Sequence, residues 1–239
     1  MTKKEEWLAG TRSAVPIMLG YVPVGIAYGV MARQAGLNTW QTVLMSLTVY
    51  GGASEMMAAG MVAQGAAVLT IVLTTFILNL RHIIMSTCVF NQMQGGRLPV
   101  RMLAAFGVTD ETFAVYTTTA NAPRTPRYFF SMALCSYLSW ALGSWLGAIA
   151  TGLLPPLITA ALGISLYAMF IGLLMPGLHG NGRLAALVVL TALCNTVLCN
   201  VVQLDSGWSM ILSTLGCAVL GSFFVTPNAA GEENSHAEP

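Results

Sequence analysis

The chain has 239 residues, of which 56% are hydrophobic and 8% charged, with a formal net charge of +1. Soluble domains carry roughly 25% charged residues to cover a core, so too little polar surface is left here for water. The composition places the chain in a lipid bilayer as an all-α, polytopic integral membrane helical bundle, and the absence of any basic patch argues against a nucleic-acid partner.

In chain order, the opening stretch "MTKKEEWLAGTR" is polar and carries Lys3, Lys4 and Arg12. The apolar run behind it is longer than a signal-peptide core, so it reads as a cytoplasmic lead into a retained first span. A crossing helix needs about 20 mostly apolar residues. Such runs occupy 13–32, 40–63, 66–90, 129–150, 157–178, 184–203 and 208–225, and a further candidate, 98–120, carries Asp110 and Glu111 at its centre. Helix starts are marked by Asn38 with Gln41 behind it, by Pro99, and by Thr125 before Pro126. The reading is seven or eight transmembrane segments, some interrupted. Loop charges favour eight with a cytoplasmic N-terminus: Lys3, Lys4, Arg12, Arg124, Arg127 and Arg183 then fall inside, and Arg33, Arg97 and Arg101 outside.

Residues 1–225 read as a single transmembrane domain, and the small, acidic, polar tail 226–239 as disordered. A weak internal echo links "GYVPVG" (20–25) and "TIVLTTFILN" (70–79) to "GSWLG" (143–147) and "LVVLTALCN" (187–195). It points to repeat halves 12–120 and 128–225.

Helix breakers stand inside the first two spans. Pro23 sits among glycines in "GYVPVGIAYG", and Gly51, Gly52 and Ser54 interrupt "VYGGASEM". Broken helices are tolerated at membrane depth where protein or a water-filled cavity satisfies the freed backbone groups, so these positions are expected to break. Gly29 and Gly60 read instead as close-packing positions between helices.

The charges at depth are Glu55, Arg81 with its neighbour His82, and the adjacent Asp110 and Glu111. A charge at the bilayer centre costs about 2.5–3.5 kcal/mol even on the lenient insertion scale, so each must face the bundle interior or a polar cavity. A salt bridge between Arg81 and one carboxylate is the plain explanation for Arg81, and it leaves two carboxylates to be neutralised. These either reach an interface or carry a proton, and proton exchange at a buried carboxyl is what proton-coupled transport requires. Adjacent helical residues point about 100° apart, so Asp110 and Glu111 are expected to take different partners.

No metal site is expected: His82, His179 and His236 are scattered, and the five cysteines, in or beside apolar segments without a C-x-x-C pair, read as packing residues. The chain lacks G-x-x-x-x-G-K-[ST] and G-x-S-x-G, so neither nucleotide nor cofactor is expected.

"AVPIMLGYVPVGIAYGVMA", "VYGGASEMMAAGM", "NLRHIIMS" and "FGVTDETFAVY", in that order, resemble the AzlC family, the larger subunit of bacterial branched-chain amino acid exporters. The resemblance covers residues 12–120 by motif and the remainder by hydrophobic layout. It implies a multi-pass protein of the bacterial inner membrane that exports leucine, isoleucine, valine and also methionine, without being an enzyme, together with a small AzlD-type membrane subunit. Family members usually carry glutamine, in the pattern A-G-A-S-Q, where this chain has Glu55. A zwitterion needs donors for its carboxylate, found in Arg81 and the amides at Gly51 and Gly52, and an anion for its ammonium, found in Glu111, Asp110 or Glu55. The rival readings are a transporter of another small zwitterion and a membrane-embedded enzyme using Asp110, Glu111 and His82 as acid–base groups.

Overall fold

The computed structural model describes residues 2–119, 122–153, 182–204 and 206–224, with isolated positions between 155 and 178. Among the described residues there are helices, turns and loops and no strand, in keeping with an all-α membrane bundle. Two compact units are formed, Met1–Phe170 and Ile171–Pro239.

In the first unit α1 (Lys3–Gln34) and α8 (Pro126–Ala150) are the long elements. Lipid gives apolar helices no hydrophobic reason to associate, so backbone approach must hold them together. Glycines provide it: a Cβ on Gly29 would collide with the Ser144 carbonyl oxygen, one on Gly147 with that of Ile26, and one on Gly143 would lie 2.6 Å from that of Val22. At the other end the Ser131 hydroxyl donates to the Trp7 carbonyl (2.8 Å) and the Tyr128 hydroxyl to Ser13 Oγ (2.8 Å). Low numbers meet low and high meet high, so α1 and α8 run parallel. Gly29 thus packs as expected, whereas Gly60 has nothing within 4 Å of where its Cβ would stand.

Between them run α2 (Thr39–Val49), α3 (Gly52–Ala63), α4 (Val68–Asn79), α5 (Arg81–Gln92), α6 (Leu98–Phe106) and α7 (Asp110–Thr118). Leu80, between α4 and α5, keeps right-handed helical dihedrals (φ −55°, ψ −31°). The pair is therefore one bent apolar stretch of 25 residues, long enough to cross. Candidate 66–90 is a span of this kind.

The stretches 40–63 and 98–120 depart from expectation. A helix rises about 1.5 Å per residue, so α6 and α7, with 9 residues each, reach less than halfway across a core about 30 Å thick. The chain reverses between them, each packing against α5 and α8. Gly96 stands against Pro126, Gly107 at the tip stands against Ala133, and Tyr116 has returned to the rings of Tyr128 and Phe129. The ends close where Gln94 N–H donates to the Arg124 carbonyl at 2.6 Å. Residues 98–120 are thus a re-entrant hairpin, opening on the face at which α1 begins.

Stretch 40–63 is the counterpart. α2 leaves the far end of α1, where the Tyr28 hydroxyl donates to the Thr42 carbonyl (3.2 Å), and descends until Tyr50 reaches Tyr21. The α4–α5 span ends beside Arg124, on the face where α1 begins, so Val68 starts on the far face. α3 must therefore return there, and its start at Gly51 lies beside Asn79, where α4 ends. The two hairpins enter from opposite faces. With 98–120 turned back, Arg97 and Arg101 lie with Lys3, Lys4, Arg12, Arg124 and Arg127 on the face where α1 begins, and Arg33 lies on the other.

Pro23 does not break α1, which is continuous through both Pro16 and Pro23. A proline removes a single amide bond to the preceding turn, and close packing along α8 holds the rest of the helix in register. The polar lead is part of α1 as well, capped by Thr2 with Glu5 returning the bond. In the second unit α9 (Gly182–Asn200) and α10 (Ser206–Phe224) form an antiparallel pair, with Gly221 against Leu187 and Ser213 Oγ donating to Asn195 Oδ1 at 3.5 Å. They correspond to 184–203 and 208–225; most of 157–178, His179, His236 and the tail 226–239 lie outside the described residues.

Candidate functional site

The two hairpin tips and the bend at Leu80 meet at one depth. At the first tip Tyr50 ends α2 in the left-handed region (φ 47°, ψ 48°). A bulky residue there holds strain of about 1–3 kcal/mol, which persists only where the surroundings over-determine it. Gly51 then begins α3 with no side-chain cap, so the first amides of α3 stay available, with the positive end of the helix dipole behind them. Gly52 is confined by Trp140, whose Cη2 would lie 2.9 Å from an added Cβ.

The second tip is finished differently. Thr109 caps α7 by a reciprocal bond with Thr112: Thr109 N–H donates to Thr112 Oγ1 at 2.8 Å, and Thr112 N–H donates back at 3.3 Å. Asp110 and Glu111 follow in the first turn, where a helix N-terminus favours negative charge. At the bend, Arg81 and His82 open α5.

These pieces, with Tyr21 of α1 and Trp140 of α8, enclose a cavity of about 20 Å³. Its wall is formed by Tyr50 to Ala53 from the first tip, Thr109 to Glu111 from the second, Arg81 and His82. That is room for about one water, not for a larger solute. Arg81 Nη2 lies 3.0 Å from Asp110 Oδ2, with both side chains partly exposed. The Tyr21 hydroxyl donates to Glu111 Oε2 at 2.6 Å and lies 2.7 Å from Thr109 Oγ1. The two adjacent carboxylates have different partners, as their angular offset requires.

Glu55 stands behind the wall. It is fully buried and accepts from Gly51 N–H (2.9 Å), the Ser46 hydroxyl (3.0 Å) and the Trp140 indole N–H (3.3 Å). Its carboxylate thereby ties the α2–α3 tip to α8, and Ser46 continues the chain to Ser144 Oγ at 2.6 Å. Ser54 turns its hydroxyl onto the Gly51 carbonyl (2.8 Å) and supports the tip. Among the described residues, neither Glu55 nor Glu111 has a cation within 4.0 Å, and no cluster of three or more His, Cys, Asp or Glu is placed to hold a metal.

Sequence reasoning named Arg81, His82, Asp110, Glu111, Gly51 and Gly52, all of which line the cavity. It missed Tyr21, Tyr50, Thr109 and Trp140. For Trp140 a signal existed: membrane tryptophans gather at the interfaces, and an indole in mid-span needs a partner for its N–H.

The model of the family described as "AzlC protein" matches residues 16–154, more than half of the chain. An "uncharacterized membrane protein" of Archaeoglobus fulgidus is 33% identical over 188 residues, covering 78% of this chain and 82% of the relative. The inner membrane protein YgaZ of Escherichia coli is 30% identical over 179 residues, covering 71% and 72%. The branched-chain amino acid transport protein AzlC of Bacillus subtilis is 27% identical over 157 residues, covering 62% and 61%. No solved structure matches.

Proposed function

The chain belongs to the AzlC family, and on that premise we propose that it is the large subunit of a proton-coupled secondary transporter. Its cargo is branched-chain amino acids and methionine, exported from the cytoplasm with the help of a small membrane partner. The observation that carries the reading is the chemical opposition of the two tips across one cavity at membrane depth. The uncapped amides of α3, with Arg81 nearby, suit a carboxylate. The carboxylates at the start of α7 suit an ammonium. A hydrogen bond from the Tyr21 hydroxyl, itself braced by Thr109, orients Glu111 without cancelling its charge, so an ammonium and a proton can compete for it. That competition is a coupling mechanism.

A cavity of about 20 Å³ is a contracted state, and cargo enters only when a tip withdraws. Because the hairpins enter from opposite faces, withdrawal of one opens the site to one side and withdrawal of the other opens it to the opposite side, which is alternating access. Gathering Arg97 and Arg101 onto the face where α1 begins strengthens the excess of positive charge there, which supports a cytoplasmic N-terminus in the bacterial inner membrane.

The test is efflux of preloaded labelled valine, leucine and methionine from cells lacking their own exporters, with and without the partner, while external pH is stepped. Efflux of unchanged amino acid that needs both chains and follows the proton gradient is expected. Absence of efflux with both chains in the membrane overturns the reading, and a chemically altered product favours an enzyme acting through Asp110, Glu111 and His82.

A further inference from the structure

A second cavity lies beside the first, with Tyr50 as the wall between them. It measures about 260 Å³ and is bounded by Tyr50, Ala104, Phe106, Gly107, Ala133 and Tyr137 before opening outward toward Leu103 and Leu134. Among the described residues, no charged side chain lines it. Tyr50 also lines the polar cavity, so one ring separates a polar chamber from an apolar one.

We infer that the apolar cavity is the subsite for the cargo's side chain, and that Tyr50 is the residue that opens and sizes it. This rests on the transport reading and adds the place where cargo is discriminated. Three observations support it. An amino acid has a charged end and an apolar end joined at one carbon, and the two chambers share one wall. A dry apolar cavity of about 150 Å³ suffices for benzene, so 260 Å³ admits a branched four-carbon side chain. Finally, Tyr50 stands between the two chambers and lines both. It stands at a hairpin tip in the left-handed region, and its buried hydroxyl has no hydrogen-bond partner of ordinary geometry. Its buried ring makes edge and tilted contacts to Tyr137 (4.9 Å), Phe106 (5.9 Å) and Tyr21 (6.4 Å). Swinging that ring aside joins the chambers. The narrow end is set by Gly107 and Ala133, since a Cβ on Gly107 would lie 2.7 Å from that of Ala133.

The experiment compares efflux of alanine, valine, leucine, methionine and phenylalanine by the full chain with its partner, at matched membrane levels. Ala133→Leu fills the cavity from α8 and should lower the leucine-to-alanine efflux ratio by about tenfold or more, the least that a methylene's worth of misfit costs in an apolar pocket. Tyr50→Gly removes the wall at a position whose backbone already favours glycine, and should shift preference toward phenylalanine. If Ala133→Leu fails to reach the membrane, Ala104→Val narrows the same cavity from α6 and carries the same expectation in smaller degree. Wild-type efflux with a ratio unchanged by these substitutions overturns the subsite and leaves the groove as a seat for a lipid chain or a partner helix. No wild-type efflux of any of the five overturns the transport reading, and the subsite with it.

Discussion

The two hairpins have the same plan and opposite chemistry. Each is a pair of short helices that turns at mid-depth, α2–α3 from one face and α6–α7 from the other. Where α3 begins there is no side-chain cap, so backbone donors face the cavity. Where α7 begins, Thr109 and Thr112 complete the cap and Asp110 and Glu111 add acceptors. A helix N-terminus must have its free amides answered by something, and leaving one tip uncapped while completing the other gives the cavity a direction. A neutral solute has no use for such polarity, whereas a zwitterion does.

The donor tip breaks most readily through its hidden support. Glu55→Ala leaves the Gly51 amide and the Trp140 indole without acceptors, at about 1–3 kcal/mol for each unsatisfied group. The protein should therefore accumulate poorly and melt several degrees lower in detergent, as read by thermal unfolding. Glu55→Gln, which keeps an acceptor for one of them, should recover most of that stability. If Glu55→Gln instead abolishes the pH response of efflux while preserving the melting temperature, the coupling group sits at the α3 tip rather than at α7.

On the acceptor tip, Glu111→Gln removes the charge that meets the ammonium. A hydrogen bond to a charged group is worth about 1.5–3 kcal/mol, so initial efflux rates should fall about tenfold to a hundredfold, with loss of response to the proton gradient. Tyr21→Phe removes only the hydroxyl that orients Glu111. An effect of about 1 kcal/mol, near fivefold in rate, is expected, with the gradient response intact. The smallest effect belongs to Asp110→Asn. Its pair with Arg81 is partly exposed, and such pairs contribute about 0.2–1 kcal/mol. A loss in Asp110→Asn equal to that in Glu111→Gln would show that the carboxylates act as one unit and would remove the division of labour between them.

How far the fold was legible depends on whether a feature is local. Hydrophobic length marked α1, the α4–α5 span, α8, α9 and α10, and the charge at Arg81 and at Asp110–Glu111 marked the cavity wall. Length alone could not distinguish a span from two half-length helices that turn back, because 40–63 and 98–120 are as long as true spans. Gly51–Gly52 hinted at the first turn. At Gly107 the only sign was a glycine ahead of "VTDE". Pro23 misled because a proline costs a helix one bond, and whether the helix yields depends on what packs against it.

What the sequence by itself determined is the solvent, the helical class, the family and most of the polar residues that must hide from lipid, since each follows from transfer free energies that act residue by residue. Only the tertiary structure decided that α1 and α8 run parallel, that two hairpins meet tip to tip, that Asp110 rather than Glu111 takes Arg81, and that Glu55 stands behind the cavity. These depend on which backbone surfaces approach closely enough to touch, and that is a property of pairs of distant segments that no single stretch of chain encodes.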